Sequence, residues 1–370
     1  MKHTKLLNCK RHFWVMAGLS ALLALGSFST RTFAAGEGDD YPDTLSTATP
    51  VSCGTIYEGT IGDDEDVDVL SFTTDTSTSA YTINVTAVDD MPLSIRVYSE
   101  SSPNVIDGGS FSVASARTMA KSYAQLERGK KYWIQIAGSG YYDSGRWRVL
   151  ISKIADDAGN DFQYAKKISV GKTVNGKFEV NLDTDFYTFK TPKGAKSYWI
   201  DFHNKTGASQ MNFVLYAVPN DLSSKVGTEG QVYAANTYET TYKLNPNKTY
   251  YLRVYGGAED STYSFKLNQS AKTIKKQKPG SFKVGSNYSR SVYVSWENNR
   301  RYDGVELYRS TNPKSGFKKI KVIENEYYDY DDNKTAKKVK YYYKARYFVK
   351  EGKKKVYSKF TAIKSGSHRY

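Results

Sequence analysis

Residues 66–72 read Asp-Val-Asp-Val-Leu-Ser-Phe, and residues 183–189 read Asp-Thr-Asp-Phe-Tyr-Thr-Phe, 117 positions later. The same offset relates residues 39–72 to residues 156–189 without a gap. This period exceeds the roughly 20–50 residues of solenoid repeats and fits a duplicated domain of about 100–150 residues. The chain therefore contains two copies of one domain, an arrangement more typical of a binding array than of a single catalytic centre.

The patterned segments of the chain are typical of β-strands. Tyrosine supplies 32 of the 370 residues, and Tyr, Val, Ile, Thr and Phe dominate these segments, as they do in strands. Apolar and polar residues alternate in residues 81–85, 95–98, 132–136, 251–255 and 292–296. Gly, Asn, Asp and Pro clusters separate the segments, and no helical period extends over about ten residues. The sequence predicts an all-β fold of sandwiches or jelly rolls.

Both copies carry the same motifs in the same order. In each copy a doubled Asp and a Gly precede the Asp-x-Asp segment. A turn and a Tyr-containing strand come later, at residues 126–136 in the first copy and 244–254 in the second. The final strand carries an aromatic residue, Trp147 or Tyr263. This order resembles the bacterial pre-peptidase C-terminal domain, a small jelly-roll β-sandwich, and covers about 115 residues per copy. Such domains follow secreted peptidases or occur in surface proteins and resemble collagen-binding modules, so the resemblance implies binding or a folding accessory rather than catalysis.

Residues 281–363 resemble a fibronectin type III domain. Trp296 stands where that family has a core tryptophan, and Tyr341 where it has the tyrosine of the tyrosine corner. The period of two then directs Tyr343 and Ala345 into the core. The predicted architecture is two tandem jelly-roll-like β-sandwiches followed by an immunoglobulin-like (fibronectin type III) β-sandwich. The last fold hosts many roles and carries little functional information.

The N-terminus has the three-part layout of a secretory signal peptide. A basic head precedes an uncharged apolar run at residues 13–28, and residues 32–34 offer a cleavage site. The run is shorter than the roughly 20 residues of a membrane span, which favours export over a membrane anchor. We predict a secreted, extracellular protein with no transmembrane anchor after cleavage, retained non-covalently where it stays at the cell surface. The predicted parts are a signal peptide (1–35), repeat one (36–155), repeat two (156–270), and a basic linker with the last domain (271–370).

Few residues of the mature chain suit catalysis. Cys53 is its single thiol, predicted to pack as a small apolar residue in a strand, with a nucleophile or an intermolecular bridge as alternatives. His203 and His368 are its only histidines, and the sequence contains no Gly-x-Ser-x-Gly elbow, His-Glu-x-x-His motif or paired-cysteine metal signature. The sequence predicts a protein that is not an enzyme.

Acidic residues at matching positions of the two copies are the candidate metal ligands. Ca²⁺ takes six to eight hard oxygens, mostly from carboxylates and carbonyls. The doubled Asp and the Asp-x-Asp segment supply carboxylates if they lie side by side. The predicted ligands are Asp39, Asp40, Asp66, Asp68, Asp156, Asp157, Asp183 and Asp185. The alternative is that the doublets cap turns and the Asp-x-Asp segments lie on an exposed face. Ca²⁺ is the only cofactor that the sequence suggests.

Charge is distributed unevenly. Residues 35–155 have a net charge of −8, residues 156–270 of +1 and residues 271–370 of +17. In the last domain the predicted ligand-binding lysines are Lys318, Lys319, Lys337, Lys338, Lys353 and Lys354, interleaved with tyrosines. These clusters favour an extracellular polyanion, such as a cell-wall polymer or acidic glycan, over nucleic acid; a solubilising lysine-rich face is the alternative. Tyr141 and Tyr142, beside glycines, form the predicted contact loop of repeat one.

Together these features predict a secreted, non-catalytic binding or adhesion protein. Its predicted partners are a cell-wall polymer, a glycan or a matrix protein, with no specific nucleic acid. Residues 36–270 are expected to carry ligand selectivity, and residues 271–370 surface retention. Two alternatives remain open: an accessory or substrate-targeting protein for a secreted peptidase or glycosidase, and a structural spacer.

Overall fold

The computed structural model describes residues 30–32, 40–140, 144–194, 196–206, 209–286, 290–324 and 326–368. The predicted signal peptide lies outside the described residues except for residues 30–32. Within the described ranges no helix is both long enough and apolar enough to cross a membrane.

Repeat one is a sandwich of two five-stranded sheets. Side chains alternate in burial along its strands, so Tyr81, Ile83 and Val85 enter the core with Trp147. The sheet orders are β1-β3-β10-β5-β8 and β2-β4-β9-β6-β7. The strands are β1 (Thr30–Thr32), β2 (Thr49–Pro50), β3 (Ile56–Ile61), β4 (Val67–Thr73), β5 (Tyr81–Ala87), β6 (Leu93–Ser99), β7 (Ser102–Val113), β8 (Thr118–Tyr123), β9 (Lys131–Gly138) and β10 (Gly145–Lys153).

Repeat two has the topology of repeat one, except that no described strand corresponds to β1. Its strands are β11 (Lys166–Lys167), β12 (Thr173–Lys177), β13 (Thr184–Lys190), β14 (Ser197–Asn204), β15 (Met211–Tyr216), β16 (Gly230–Val232), β17 (Thr237–Lys243), β18 (Thr249–Tyr255) and β19 (Thr262–Gln269). The orders β11-β13-β18-β15-β16 and β12-β19-β14-β17 reproduce, strand for strand, the orders β2-β4-β9-β6-β7 and β3-β10-β5-β8. The repeated motifs of the sequence therefore occupy equivalent strands of two copies of one sandwich.

The last domain packs a three-stranded sheet (β20-β21-β24) on a five-stranded one (β23-β22-β25-β26, with β27 also paired to β25). A short helix α1 (Ser270–Thr273) and a 3-10 turn (Ile274–Lys276) precede β20 (Lys283–Ser286), β21 (Val292–Ser295), β22 (Gly304–Ser310), β23 (Lys318–Glu324), β24 (Asp329–Asp332), β25 (Tyr341–Glu351), β26 (Lys354–Tyr357) and β27 (Lys364–Gly366). Trp296, Tyr343 and Ala345 lie in its core, as expected. The all-β prediction is confirmed.

Side-chain contacts connect each domain to the next. Asn160 of repeat two donates to Ser79 Oγ (3.1 Å) and to the Ala124 carbonyl (2.6 Å) of repeat one. At the other end, Ile274 in the basic segment is fully buried in the core of the last domain, while the lysines around it are exposed. The Arg301 guanidinium pairs with Glu239 and lies 4.1 Å from the centre of the Trp199 ring.

One tyrosine hydrogen bond recurs in all three domains. The hydroxyl oxygens of Tyr132, Tyr250 and Tyr341 each accept the backbone N–H five residues earlier, at 2.8, 2.8 and 3.0 Å. In the last domain this bond is the expected tyrosine corner, so that prediction is confirmed. Each hydroxyl fixes the turn that leads into its strand, because the N–H it satisfies has no partner in the sheet.

We expect Tyr250→Phe to destabilise repeat two by about 1 kcal/mol, because it leaves the Asn245 N–H without its acceptor. Tyr233→Phe is the control: that side chain is 60% exposed, so its loss should change stability by less than about 0.5 kcal/mol. Chemical denaturation of the full chain measures both. Equal changes in unfolding free energy for the two substitutions would contradict a specific stabilising role for the Tyr250 hydrogen bond.

Candidate metal centre and cationic face

The Gly and Asp-x-Asp motifs meet at one buried hydrogen bond in repeat two. Asp185 on β13 is fully buried, and its Oδ2 accepts the hydroxyl of Tyr263 on β19. Tyr263 crosses directly over Gly176 on β12, where an added Cβ would lie 2.2 Å from the ring. Since real Cβ atoms do not approach that closely, this position requires glycine.

Repeat one builds the same contact with a different aromatic residue. The Trp147 Nε1–H donates to Asp68 Oδ2 at 2.5 Å, and a Cβ on Gly59 would lie 2.3 Å from the Trp147 ring. Asp68, like Asp185, is fully buried. The second Asp of each Asp-x-Asp motif is therefore an interior residue held by an aromatic donor, which excludes the alternative of an exposed sheet face for these two residues.

Three further carboxylates of repeat two converge near that of Asp185. Asp156 and Asp157 follow β10, Glu179 follows β12, and Asp185 lies on β13. One carboxylate oxygen from each of these four residues lies within 4.8 Å of the other three. Asp156 Oδ2, Asp157 Oδ1, Glu179 Oε2 and Asp185 Oδ1 are buried and have no hydrogen-bond partner among the described residues. Buried acceptors are rarely left unpaired, so this geometry fits a bound cation.

The acidities of these groups reflect the crowding. Burial, reinforced by the neighbouring carboxylates, raises the pKa of Asp185 to about 9 and the pKa of Asp156 to about 6. Burial likewise raises the pKa values of Asp157 and Glu179. Without a cation, protons must neutralise part of the cluster near neutral pH; a divalent cation can replace them.

The structure brings together three of the four ligands predicted in repeat two: Asp156, Asp157 and Asp185. Asp183 instead accepts backbone N–H groups with both oxygens, from Glu179 (2.9 Å) and Thr184 (2.7 Å). It holds the turn that presents Glu179. Sequence reasoning missed Glu179 because repeat one has Gly62 at the matching position, so comparing the copies gave no signal for an acid there.

The matching place in repeat one is described in part. Asp40 Oδ2 accepts the Thr60 N–H at 2.9 Å, and Asp66 Oδ2 accepts the Gly62 N–H at 2.5 Å. Asp39 lies outside the described residues. Among the residues that the structure does describe, the cluster of repeat two is the group of carboxylates that converges on a single point.

The cluster opens into a cleft between the two repeats. The cleft has a volume of about 650 Å³ and is lined by Asp156 and Asp157 together with Arg128 and Lys153 of repeat one. Arg128 lies 3.6 Å over the Tyr164 ring of repeat two. The cleft reaches two of the four carboxylates, those of Asp156 and Asp157.

The structure separates the three predicted lysine pairs. Lys318 and Lys319 lie on β23, Lys353 and Lys354 at the β25–β26 turn, and Lys337 and Lys338 in the β24–β25 connection. All six are exposed. Tyr141 and Tyr142, the other predicted ligand-binding residues, lie outside the described residues.

Lys319 belongs to a group of side chains around the buried carboxylate of Glu306 on β22. Arg346 (3.0 Å), Lys355 (3.2 Å) and Lys319 (3.3 Å) pair with this carboxylate, which is fully buried. The hydroxyls of Tyr308 (2.8 Å) and Tyr357 (3.3 Å) also donate to it. Burial alone would disfavour the charged form, but these donors outweigh it and lower the pKa of Glu306 to about 2.

The residues considered for nucleophilic chemistry make local contacts. Cys53 is half-buried and packs against the core of repeat one, as expected, but it lies in a turn rather than a strand. Burial raises the pKa of its thiol. His203 contacts Asp201 on the same strand at 3.0 Å, and His368 contacts Thr335 at 3.1 Å.

Comparisons with known proteins give partial structural likenesses. No family model matches the chain, and no curated protein matches it. Similar solved structures include a Fn3-like protein from Clostridium thermocellum (17% identity, 26% of this chain, 95% of that chain, TM-score 0.23). The pre-peptidase C-terminal domain of collagenase from Bacillus anthracis is 29% identical over 28% of this chain and 93% of that chain, with a TM-score of 0.23. The chicken CNTN1 FN1–FN3 domains are 11% identical over 80% of this chain and 97% of that chain, with a TM-score of 0.24. TM-scores this low carry no functional argument.

The Glu306 contacts predict a specific acid sensitivity. Because the folded pKa lies below the ordinary value of 4.5, the stabilisation is present above about pH 4.5 and is lost as the pH falls towards 2. The advantage of the wild type over Glu306→Gln should shrink by about 3 kcal/mol across that window. Glu324→Gln, an exposed partner of Lys350, is the control and should show little change. A pH-independent Glu306→Gln difference in urea unfolding would contradict this account.

Proposed function

We propose that the chain is a secreted, non-catalytic binding protein in which repeat two binds Ca²⁺ and the last domain holds the molecule on an anionic extracellular surface. The observation that carries the proposal is the cluster of four carboxylates, each with a buried, unpartnered oxygen. We assign this group to cation binding, because converging carboxylate oxygens are the ligands that Ca²⁺ takes.

The donor set favours calcium over other cations. All four side chains offer oxygen, whereas zinc and copper sites draw on His nitrogen and Cys sulfur. Mg²⁺ demands near-octahedral geometry and keeps several waters, while Ca²⁺ accepts many carboxylates in irregular arrangements. The cleft beside Asp156 and Asp157 leaves room for water to complete the six to eight ligands that calcium takes.

The position of the ligands suggests what the site does for the fold. Asp156 and Asp157 belong to the segment between β10 of repeat one and the first strand of repeat two, whereas Asp185 belongs to β13 in the body of repeat two. A bound cation would neutralise the carboxylates and fix this segment against the sandwich. The cleft and the relative placement of the two repeats would then depend on the ion.

The charge distribution supports retention by the last domain. Its net charge of +17 contrasts with −8 for residues 35–155. An anionic surface would therefore attract the C-terminal domain and repel repeat one. Ligand selectivity is then left to the repeats, as the sequence predicts.

We expect 10 mM Ca²⁺ to stabilise repeat two by about 1.4–2.7 kcal/mol if the dissociation constant is that of extracellular modules, about 10⁻⁴–10⁻³ M. Glu179→Gln should weaken binding at least about tenfold, since it removes one of four charged ligands. The same variant without calcium should be no less stable than wild type, because a like charge is gone. Titration calorimetry and thermal unfolding with calcium or a chelator measure these effects.

Asp221→Asn is the matched control for Glu179→Gln, because Asp221 is an acid of the same repeat that lies in an exposed loop and bonds to Ser223. It should bind calcium as the wild type does. Equal loss in both variants, or no heat with wild type at millimolar calcium, would overturn the assignment.

Retention predicts that the mature chain binds dextran sulfate beads at about 0.05 M NaCl and is released well below 1 M, because screening shortens the Debye length from roughly 14 Å to 3 Å. Unmodified dextran should not hold it. Binding that ignores salt, or equal binding to both beads, would contradict electrostatic retention and favour a spacer or an accessory protein.

A further inference from the structure

The five-stranded sheet of the last domain presents a continuous outer face. Along β25, Tyr343, Ala345 and Tyr347 enter the core, so the alternate residues Lys344 and Arg346 point outward with Lys350 beyond them. We call the outward side chains of β22, β23, β25 and β26 the outer face.

Cations on this face are supported by aromatic rings. Lys344 Nζ lies between the rings of Phe317 (4.5 Å) and Phe360 (4.3 Å). The Arg346 guanidinium lies 3.6 Å from the centre of the Tyr357 ring. The rings restrict long side chains that would otherwise be mobile, so less conformational entropy is lost when a ligand binds.

A fourth cation–ring contact and a buried anion complete the arrangement. Lys355 lies 3.9 Å over Phe348 while pairing with Glu306. Glu306 draws Lys319, Arg346 and Lys355 together from three strands yet neutralises only one of their charges. The outer face as a whole has five cations, namely Lys319, Lys344, Arg346, Lys350 and Lys355, against the two carboxylates of Glu306 and Glu324.

The spacing of the positive charges follows the sheet. Outward residues of one strand recur about every 6.7 Å, and neighbouring strands lie about 4.8 Å apart. The cations therefore form an array in which the backbones of Lys344 and Arg346 are about 6.7 Å apart along β25, while Lys319, across β22, is roughly 10 Å from Lys344. Such an array matches a flexible chain that carries anionic groups at each sugar better than a single compact anion.

We propose that the outer face is a binding site for a linear acidic polysaccharide. The inference rests on the proposed retention by the last domain and assigns that retention to one surface and one ligand class. Sulfate or carboxylate groups of the glycan would pair with Lys319, Lys344 and Lys355, while Arg346 stays on Glu306 and Tyr357.

The face is less suited to single-stranded nucleic acid. Sites for single strands stack bases on open aromatic faces, whereas Phe317, Phe348, Phe360 and Tyr357 have cations over them. A glycan needs no such stacking when its charged groups supply the contacts.

The test compares two triple variants of the full mature chain that remove equal charge. Lys319→Gln, Lys344→Gln and Lys355→Gln alter the outer face, whereas Lys272→Gln, Lys275→Gln and Lys276→Gln alter exposed lysines of the basic segment. Calorimetry at about 0.15 M NaCl uses dextran sulfate, unmodified dextran and an oligo-dT of matched charge as probes. We expect the face variant to lose at least about tenfold in affinity for dextran sulfate and the control variant less than about threefold.

Because Lys319 and Lys355 neutralise Glu306, a double variant, Lys344→Gln with Lys350→Gln, leaves those contacts intact and should still lose several-fold. Equal losses of affinity for dextran sulfate in the face and control variants would contradict a site on the outer face. They would not contradict retention by the last domain as a whole. Failure of the wild type to bind dextran sulfate would overturn retention itself, and tighter binding to oligo-dT would overturn the ligand class.

Discussion

Repeat two depends on neutralising four carboxylates whose oxygens lie within 4.8 Å of one another. Two unit charges at that separation repel by about 3–4 kcal/mol at an effective dielectric constant of about 20. The fully ionised cluster would therefore oppose folding by more than a small domain can spare. Protons or a cation must offset this repulsion, and the segment after β10 can pack against β13 only when they do. Packing between the two repeats and folding of repeat two therefore both depend on neutralising these four carboxylates.

Much of this arrangement could be predicted from the sequence, because the duplication exposes it. Asp156, Asp157 and Asp185 recur at a fixed offset from acids of repeat one, and a shared offset implies a shared place in the fold. The period of two also predicts that Asp183 faces the same way as Asp185. That step fails because β13 begins at Thr184, so Asp183 lies outside the strand and accepts backbone N–H groups at the turn. Glu179 was missed because its partner in the other copy is Gly62.

The cationic face was harder to predict, because its members are distant in sequence. The sequence predicts clusters of lysines that are neighbours along the chain, such as Lys337 and Lys338. The sheet instead collects Lys319, Arg346 and Lys355 from three strands around Glu306. Residues of adjacent strands come together through pairing register, which depends on long-range contacts that local spacing does not encode. Glu306 is inconspicuous in the sequence for the same reason: the cations that pair with it lie 13 to 49 positions away.

The carboxylate cluster of repeat two and the cation cluster around Glu306 have opposite excess charges. This difference determines which ligand each can bind. Repeat two has a net charge of only +1. Burial raises the pKa of Asp157 even though Lys166 and Lys177 favour its charged form, so the four carboxylates need protons or a cation from solution. The last domain surrounds the buried carboxylate of Glu306 with three cations, so that this charge is neutralised internally and positive charge remains for a ligand. A cluster with excess negative charge and a face with excess positive charge respond differently to solution conditions. The first responds to the concentration of a particular cation, and the second to general ionic screening. The net charge of a domain therefore reveals the cationic face of the last domain but does not reveal the carboxylate cluster of repeat two.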